Sequence, residues 1–318
     1  MEAILFEMGS YMTASLISGT EIAKEIQEEV RVEVESLKKD QINPGLAVVL
    51  VGADPASASY VGMKARMCER LGIYSHKLEM GEDTTTAELL AQIDILNNDD
   101  KIDGILIQLP LPKQIDKEAI LEAVDPVKDA DGFHSSNIGS LVLGYDGLVA
   151  CTPSGIMEMM RRSGVEFEGK LAVVLGRSDD VGKPMAMLLM HANATVTICH
   201  SRTRNLSSVT READIVVAAI GKKYLVRKDF MKPGAVVIDV GANQITDRDE
   251  VIDLFGADSP RVEKFDRAGY IWVGDVHERE ALEVVSKLSP VPGGAGPMTI
   301  AMLMRNTIKG ARMRRARS

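Results

Sequence analysis

Apolar residues recur along the chain in two alternating patterns, one with helical spacing and one of short continuous runs. Ile22, Ile26 and Val30 lie on one face of a charged segment, and this spacing predicts an amphipathic helix over residues 18–39. Similar spacing predicts helices over residues 56–71, 84–98, 117–123, 151–162 and 298–313. Runs rich in β-branched residues predict buried strands over residues 46–51, 102–109, 171–175, 195–199, 214–219, 235–240 and 270–273.

Strands that alternate with helices in this way predict parallel sheets covered by helices on both faces. With 318 residues the chain is long enough for two domains that share a cleft. The Cys151-Thr152-Pro153 stretch lies between two alternating halves and is the expected hinge, and a polar loop is predicted over residues 125–137. We therefore predict an α/β fold of two domains, the second a doubly wound nucleotide-binding sheet.

A strand, a small-residue turn and a helix follow one another over residues 171–184. Gly176 ends the strand, Ser178 and Gly182 lie in the turn, and Pro184 suits a first helical turn. This order aims backbone N–H groups and a helix N-terminus at a phosphate group. The Gly-x-Ser-x-x-x-Gly spacing differs from the standard dinucleotide fingerprint, so the surrounding strand–helix alternation carries the prediction.

The residues after the next strand indicate the preferred cofactor. His200, Ser201 and Arg202 stand where an NAD site usually has a carboxylate for the ribose hydroxyls. With Arg177 of the glycine turn, Ser201 and Arg202 suit a 2′-phosphate, which favours NADP over NAD. The acidic pair at 179–180 opposes this prediction unless both side chains point to solvent.

Four polar residues of the first half are candidates for chemistry. Tyr60 and Lys64 lie four residues apart on a predicted helix, where the Tyr ring can face a planar ligand and a desolvated Lys can transfer protons. Gln108 ends a buried strand, at the sheet edge where α/β folds bind ligands. Asp131 lies in the polar loop and can accept two N–H bonds from a heterocycle edge. The structural alternatives are a solvated helix face, a buried amide with core partners, and an Asx turn.

Composition narrows the class of protein. The 45% hydrophobic and 26% charged residues are typical of a globular protein, and the net charge of −9 argues against a nucleic-acid partner. Three distant cysteines indicate a reducing, cytoplasmic location, and neither they nor the histidines have metal-binding spacing, so no metal is expected. No membrane span or signal peptide is predicted. We expect residues 1–14 to be an extension in which Met12 is an alternative start, and the arginines at the end to form a solvated tail.

The chain resembles the bifunctional methylenetetrahydrofolate dehydrogenase/methenyltetrahydrofolate cyclohydrolase family over about residues 14–307. The motifs that carry the resemblance occur in the family's order: SYVGMK, DGILIQLPLP, KDADGFHSSNIG, CTPSG, GRSDDVGKP, CHSRT, KPGAVVIDVG and PVPGGAGPMT. GILIQLPLP and PGGAGPMT are highly specific. The sequence departs from the family pattern at Ala150, at the acidic pair 179–180, at His277-Glu278 and at Ala295.

The resemblance implies two reactions and a domain arrangement. NADP⁺ would oxidise 5,10-methylenetetrahydrofolate to 5,10-methenyltetrahydrofolate, and water would convert this to 10-formyltetrahydrofolate. Residues 1–152 plus 296–318 would form a three-layer folate-binding α/β domain and residues 153–295 a Rossmann-type NADP-binding domain, with the folate in the interdomain cleft. The family also implies a homodimer.

The resemblance assigns roles to individual residues. Tyr60 would stack on the folate, Lys64 would be the key cyclohydrolase residue, and Gln108 would position and tune it. Asp131 would hold the pterin edge. The expected folate-side wall is formed by Gly293, Gly294 and Pro297. The expected cofactor-binding residues are Gly176, Arg177, Ser178, Gly182, His200, Ser201, Arg202 and Gly241.

Three other functions are alternatives. A monofunctional NAD(P)-dependent methylenetetrahydrofolate dehydrogenase would not need Lys64 and Gln108, both of which are intact. A two-domain NADP dehydrogenase for another small acid is disfavoured by the QLPLP and PGGAGPMT stretches. A nucleotide-binding sensor without activity is expected to lose the polar cleft residues and keep the glycine turn, whereas here both are present.

Overall fold

The computed structural model describes residues 14–317, so the expected extension with Met12 lies outside the described residues. Packing divides the described chain into two compact units. The first unit consists of Gly19–Gly164, Ser178–Ala192 and the chain from Ala295 to the end of the described residues. The second unit consists of the residues up to Ser18, Val165–Arg177 and Asn193–Gly294.

Helices and strands alternate through most of the chain. The helices are α1 (Gly19–Lys39), α2 (Pro55–Leu71), α3 (Thr86–Asn98), α4 (Lys117–Ala123), α5 (Ser135–Leu143), α6 (Cys151–Arg162), α7 (Gly182–His191), α8 (Leu206–Thr210), α9 (Arg248–Phe255), α10 (Pro260–Ala268), α11 (Glu278–Leu282) and α12 (Ala295–Arg317). The strands are β1 (Ser15–Leu16), β2 (Gly45–Val51), β3 (Tyr74–Met80), β4 (Gly104–Ile107), β5 (Leu171–Leu175), β6 (Thr195–Cys199), β7 (Ile215–Ala218), β8 (Val236–Asp239), β9 (Asn243–Ile245), β10 (Ile271–Val273) and β11 (Lys287–Leu288).

The first unit is built on a parallel sheet in the order β3–β2–β4. The apolar faces of α3 and α4 pack on the sheet face that includes Ile105. Successive residues of a strand point to opposite faces, and Gly104 accordingly lies against Thr307 of α12 on the other side. Because α12 also packs against α1 and α6, the unit has three layers, as predicted.

The prediction of a solvated basic tail is wrong, because α12 continues to Arg317 and two of its arginines are paired with a buried carboxylate. Arg314 Nη1 and Arg315 Nη1 each lie 2.5 Å from Oδ1 of Asp103, which is fully buried just before β4. A buried carboxylate is stable only when cations or hydrogen-bond donors surround it. The end of α12 is therefore fastened to the sheet of the first unit.

The second unit contains a six-stranded parallel sheet in the order β1–β11–β8–β7–β5–β6. Val173 of β5 lies opposite Thr197 of β6 on one side and Val216 of β7 on the other, so the strand order reverses at β5. Ligands of open α/β sheets bind outside the strand ends at such a reversal. The predicted doubly wound, Rossmann-type sheet is confirmed.

One predicted strand does not belong to that sheet. The segment predicted over 270–273 forms β10, which pairs antiparallel with β9 in a separate two-stranded sheet. α9 and α10 join these strands and share a small apolar core with them, which includes Val251 and Phe265. The edge of the main sheet is occupied by the short strands β1 and β11 instead.

Besides the short strands β1, β9 and β11, the elements β3 and α5 are absent from the sequence prediction. β3 alternates exposed and half-buried positions and contains no β-branched residue, and α5 lies partly within the stretch predicted as a polar loop. The compact units also differ from the predicted domain bounds, which divide the chain at residues 152 and 295. Residues 153–164 and 178–192 pack with the first sheet, and Ser15–Leu16 belong to the second unit. The domain bounds remain a prediction. No helix among residues 14–317 combines the length and the apolar content needed to cross a bilayer.

Candidate functional site

Lys64 and Gln108 meet in the first unit. Asp54 caps α2 by accepting a 2.7 Å hydrogen bond from the backbone N–H of Ser57, and Pro55 suits the first turn. This helix carries Lys64, whose Nζ donates a 2.8 Å hydrogen bond to Oε1 of Gln108. Gln108 Nε2 donates to the carbonyl of Leu109 at 2.7 Å, which leaves Oε1 to face the amine.

Burial changes the proton affinity of this amine. Lys64 is only 8% exposed. Desolvation lowers the pKa of its ammonium group below the ordinary value, while the negative charge of Asp131 and the Cys151 thiol act in the opposite direction. A lysine in such surroundings gives up and regains its proton more readily than a surface lysine. The solvated-helix-face alternative is therefore wrong for Lys64.

Tyr60 lies one helical turn before Lys64 and is 47% exposed. Residues four apart on a helix project from the same side, so the ring is accessible next to the buried amine. A flat, exposed face beside a desolvated base suits a planar heterocyclic ligand. The role of Tyr60 in stacking remains a prediction.

Asp131 lies in a loop whose shape is fixed by a different aspartate. Asp129 accepts hydrogen bonds from the backbone N–H groups of Gly132 at 3.1 Å and His134 at 2.8 Å, and from Nδ2 of Asn137 at 2.8 Å. The expected turn hydrogen bonds thus fall on Asp129. The Asp131 carboxyl has no hydrogen-bond partner among the described residues, so its oxygens are available to a ligand.

The carboxyl of Asp131 is hard to ionise. Burial raises its pKa to about 6, and the nearby charges of Asp129 and Asp180 act in the same direction. The positive charge of Lys64 opposes this shift. A ligand with two N–H groups would favour the ionised form, because hydrogen bonds to a carboxylate stabilise its charge.

Two polar residues that sequence reasoning missed hold this loop. Lys128 is fully buried, and its Nζ donates to the carbonyls at the C-terminal end of α3, those of Leu96, Asn97 and Asp99, at 2.7–3.0 Å. Asn306 of α12 donates 2.9 Å hydrogen bonds to the carbonyls of Ala130 and Val149. The only signal in the sequence is the position of Lys128 beside two aspartates in the KDADG motif.

The glycine turn begins in the second unit. Gly176 has a φ of 125°, and a Cβ added there would lie 2.1 Å from the carbonyl oxygen of Ala219. No other residue fits this position without displacing the neighbouring loop. Arg177 follows it and is exposed. This close backbone approach after β5, with a guanidinium beside it, fits a phosphate-containing cofactor.

The rest of the turn belongs to the first unit. Ser178 Oγ accepts a 3.3 Å hydrogen bond from the N–H of Gly182. Gly182 is the first residue of α7, which therefore begins two residues before Pro184, the predicted start. Asp179 is exposed and pairs with Lys183 one helical turn later. This ion pair reduces the like-charge repulsion expected from residues 179–180.

A second turn follows β6. The His200 N–H donates a 2.9 Å hydrogen bond to Oγ1 of Thr203, and His200 Nδ1 accepts a 3.2 Å hydrogen bond from the N–H of Arg202. Ser201 and Arg202 are exposed at the tip of this turn. A hydroxyl and a guanidinium free to reach one anion suit a 2′-phosphate.

The remaining predicted residues lie in two glycine-containing loops. Gly241 is buried after β8, and its N–H donates a 2.9 Å hydrogen bond to Asp239. Gly293 has a φ of 105°, and a Cβ added to Gly294 would lie 2.6 Å from a backbone carbonyl oxygen. Pro297 belongs to the first turn of α12, in the other unit. Their roles remain predictions.

Comparison with known proteins gives two family matches that divide the chain. The model of the tetrahydrofolate dehydrogenase/cyclohydrolase catalytic domain matches residues 17–131, and that of the NAD(P)-binding domain of the same family matches residues 150–315. The bifunctional protein FolD of Koribacter versatilis is 54% identical over 304 residues, which are 96% of this chain and 99% of that protein. The bifunctional protein FolD of Magnetococcus marinus is 52% identical over 300 residues, 94% of this chain and 98% of that protein.

Solved structures agree with these matches. The FolD methylenetetrahydrofolate dehydrogenase/cyclohydrolase from Campylobacter jejuni is 43% identical, with a TM-score of 0.86 over 95% of this chain and 99% of that one. The N5,N10-methylenetetrahydrofolate dehydrogenase-cyclohydrolase of Trypanosoma brucei, complexed with NADP cofactor and inhibitor, is 37% identical, with a TM-score of 0.85 over 96% of this chain and 99% of that one.

Proposed function

The chain belongs to the tetrahydrofolate dehydrogenase/cyclohydrolase family, and we propose that it is a bifunctional enzyme of one-carbon folate metabolism. It oxidises 5,10-methylenetetrahydrofolate to 5,10-methenyltetrahydrofolate with NADP⁺ and hydrolyses the product to 10-formyltetrahydrofolate. The observation that carries the second activity is the hydrogen bond between Lys64 and Gln108. A dehydrogenase that lacked the hydrolytic step would have no use for a buried amine held in this way.

Lys64 is proposed to move the protons of hydrolysis. Its amine, with a pKa lowered by burial, takes one proton from the water that adds to the methenyl carbon. The bond between that carbon and N5 then breaks, N5 receives the proton of the adduct hydroxyl as that oxygen becomes the formyl carbonyl, and Lys64 releases its proton to solvent. Gln108 keeps the amine pointed at the reacting carbon. General acid–base catalysis of this type contributes about 10²- to 10⁴-fold.

Tyr60 and Asp131 are proposed to bind the folate. The exposed Tyr60 ring offers a stacking face, and the carboxylate of Asp131 accepts the N–H groups of the pterin edge. The proposal is supported by the absence of a hydrogen-bond partner for Asp131 among the residues described. Gly293, Gly294 and Pro297 are proposed as the folate-side wall.

NADP, when bound, supplies the hydride acceptor. Arg177, Ser201 and Arg202 are proposed to bind its 2′-phosphate, and Gly176, Ser178, Gly182, His200 and Gly241 to shape the backbone around it. The support is the exposure of both guanidiniums and the close approach that Gly176 permits. Hydride transfer needs positioning more than acid–base groups.

We further propose that the enzyme is a cytoplasmic homodimer. Exposed apolar side chains cluster where α5 and α7 end, and the Nε2–H of His191 donates a 2.7 Å hydrogen bond to the Leu141 carbonyl there. Leu143 and Tyr145 are 65% and 68% exposed, and Val142 and Met190 are also exposed. Such a patch usually marks an interface. Analytical sedimentation tests the proposed interface. We expect wild type to be a dimer and Leu143→Asp to dissociate more readily into monomers.

One assay tests the two activities together. Methylenetetrahydrofolate is mixed with NADP⁺ or NAD⁺, and reduced cofactor and methenyl product are followed simultaneously. Faster formation of reduced cofactor with NADP⁺ than with NAD⁺ supports the NADP-dependent dehydrogenase activity. Subsequent disappearance of the methenyl product supports the hydrolytic activity. Methenyl product that disappears no faster than by uncatalysed hydrolysis would instead indicate a monofunctional dehydrogenase.

A further inference from the structure

Two carboxylates are buried at the carboxyl ends of β8 and β10 in the second unit. Asp239 ends β8 and is 4% exposed, and Asp275 follows β10 and is 0% exposed. No cation pairs with either carboxylate among the described residues. Their oxygens accept hydrogen bonds almost entirely from backbone N–H groups, so these residues hold loops in place.

Asp239 binds two loops. Its Oδ1 accepts 2.9 Å hydrogen bonds from the N–H groups of Gly241 and Asp275, and its Oδ2 accepts one of 2.9 Å from Val276. A Cβ added at Gly274 would lie 1.7 Å from Oδ2 of Asp239. The chain after β10 is therefore packed directly on the end of β8.

Asp275 extends this connection to a third loop. Its Oδ2 accepts hydrogen bonds from the N–H groups of Ile220 at 2.6 Å and Gly221 at 2.8 Å, just after β7. Its Oδ1 accepts a 3.0 Å hydrogen bond from Nδ2 of Asn243. A Cβ at Gly241 would lie 2.5 Å from Oδ1 of Asp275. The loops after β7, β8 and β10 are thus joined through one carboxylate.

These loops lie where a dinucleotide crosses the sheet. β7 neighbours β5, at which the strand order reverses, and dinucleotides bind across the strand ends at that point. Gly176 at the end of β5 lies against the carbonyl of Ala219, in the loop that Asp275 holds. Because Asp275 occupies the N–H groups of Ile220 and Gly221, these groups are not available to a cofactor phosphate.

We propose that Asp239 and Asp275 are positioning residues for dehydrogenation, which hold the loops after β7 and β8 in the shape that receives the nicotinamide half of NADP. The inference rests on the proposed function, because the loops must receive this cofactor. Neither carboxylate touches the reacting atoms. Their effect is on cofactor affinity and on the alignment of the nicotinamide, and not on hydrolysis.

Two substitutions at one position separate positioning from general stability. Asp275→Asn keeps an oxygen that accepts from Ile220 and Gly221, and the Asn243 amide can turn to offer its own oxygen to the new NH₂ group. Asp275→Ala removes every acceptor. We expect Asp275→Ala to raise KM for NADP⁺ and lower dehydrogenase kcat/KM about tenfold or more, and Asp275→Asn to stay within about threefold of wild type.

Hydrolysis of added methenyltetrahydrofolate provides the internal reference, since Lys64 and Gln108, which are proposed to act in its proton transfer, lie in the first unit. We expect this rate to stay within about twofold of wild type in both variants. Asp253→Ala, which alters an exposed carboxylate on α9, is the matched control and should change neither activity. If Asp275→Ala does not fold, Asn243→Ala is the second variant, because it removes the side-chain donor to Oδ1 of Asp275 and should raise KM for NADP⁺ in the same direction.

Equal loss of both activities in the Ala variants, or unchanged NADP⁺ kinetics, would overturn the positioning role. So would failure of Asp275→Asn to restore cofactor kinetics. Calorimetric titration of NADP into wild type and Asp275→Ala keeps the two proposals distinguishable. A wild type without dehydrogenase activity overturns the proposed function, while the positioning role is then decided by whether Asp275→Ala weakens NADP binding.

Discussion

The Nζ of Lys64 lies 2.8 Å from Oε1 of Gln108, and the other end of that amide donates to the carbonyl of Leu109. The second hydrogen bond matters because the two ends of a glutamine amide are chemically opposite. With Nε2 engaged by a backbone carbonyl, the oxygen is the end presented to the amine. Because the Gln108 amide is neutral, its oxygen holds the Lys64 amine in place without adding a negative charge, which would raise the pKa of Lys64.

Lys64→Met should abolish the hydrolysis of methenyltetrahydrofolate and leave NADP binding unchanged. Methionine fills the apolar part of the site but transfers no proton, so we expect a loss of about 10²- to 10⁴-fold. The measurement is the hydrolysis rate above that without enzyme, with a cofactor titration in parallel. Lys117→Met, at an exposed position of α4, is the control. Full hydrolytic activity in folded Lys64→Met would exclude the assignment.

Gln108→Glu should move the pH dependence of hydrolysis to higher pH. A carboxylate at this distance stabilises the ammonium form and raises the pKa of Lys64, so more base is needed to obtain the free amine. Hydrolysis should still increase with pH, but its midpoint should shift upward by about one unit or more. The pH–rate profiles of both proteins decide this. Superimposable profiles would mean that Gln108 does not influence the proton of Lys64.

Asp131 should make folate affinity depend on pH. Its pKa is raised to about 6 by burial, so the carboxyl becomes neutral below that pH and loses its strength as an acceptor. Folate dissociation constants should therefore increase as pH falls through 6 in wild type. Asp131→Asn should weaken folate binding above pH 6 and remove this dependence. Direct titration across this range is the measurement.

The size of the loss at Asp131 can be stated for neutral pH. Asp131→Ala removes a charged acceptor from a buried N–H edge, which costs about 1.5–3 kcal/mol of binding free energy. Both activities should suffer, since both substrates share the pterin. An unchanged folate dissociation constant would mean that Asp131 only shapes the loop, together with Asp129.

The pairing of Asp103 with the end of α12 predicts a large effect on stability. Replacing Arg314 and Arg315 together with Ala leaves a buried carboxylate without its cations, which should lower the free energy of unfolding by about 3–5 kcal/mol. Arg312→Ala breaks only a surface pair with Glu33 and should cost at most about 1 kcal/mol. Denaturant unfolding compares the three proteins. Equal free energies of unfolding for the three proteins would mean that the basic end is a solvated tail.

This pairing also illustrates where sequence reasoning stops. Strands such as β5 and β6 are predicted with their observed ends, because a short run rich in β-branched residues favours a strand locally. Arg314 and Asp103 lie 211 residues apart, and no local pattern links them. The same holds for Asp275, whose partners are backbone N–H groups that a sequence does not distinguish.

Some features of the candidate site can likewise be predicted from the sequence, and others cannot. Tyr60 and Lys64 can be paired from helical spacing, and Gln108 can be placed at a strand end. The hydrogen bond between Lys64 and Gln108 requires the packing of α2 on the sheet that contains β4, which only the fold supplies. Lys128 is missed because a lysine in a polar loop is usually solvated, whereas here three carbonyls at the end of α3 surround its amine.

Arg202→Ala should weaken NADP binding much more than NAD binding. The turn after β6 exposes Ser201 and Arg202 together, and the strand end carries no carboxylate for a free 2′-hydroxyl. Losing one charge-assisted pair should cost about 1.5–3 kcal/mol, roughly a ten- to hundredfold change in Kd. Because the guanidinium is exposed, the difference between wild type and variant should shrink as salt is added. Titration of both cofactors at two ionic strengths measures this, with Arg204→Ala in the same turn as control. Equal weakening of NAD and NADP would show that Arg202 supports the turn and does not bind the phosphate.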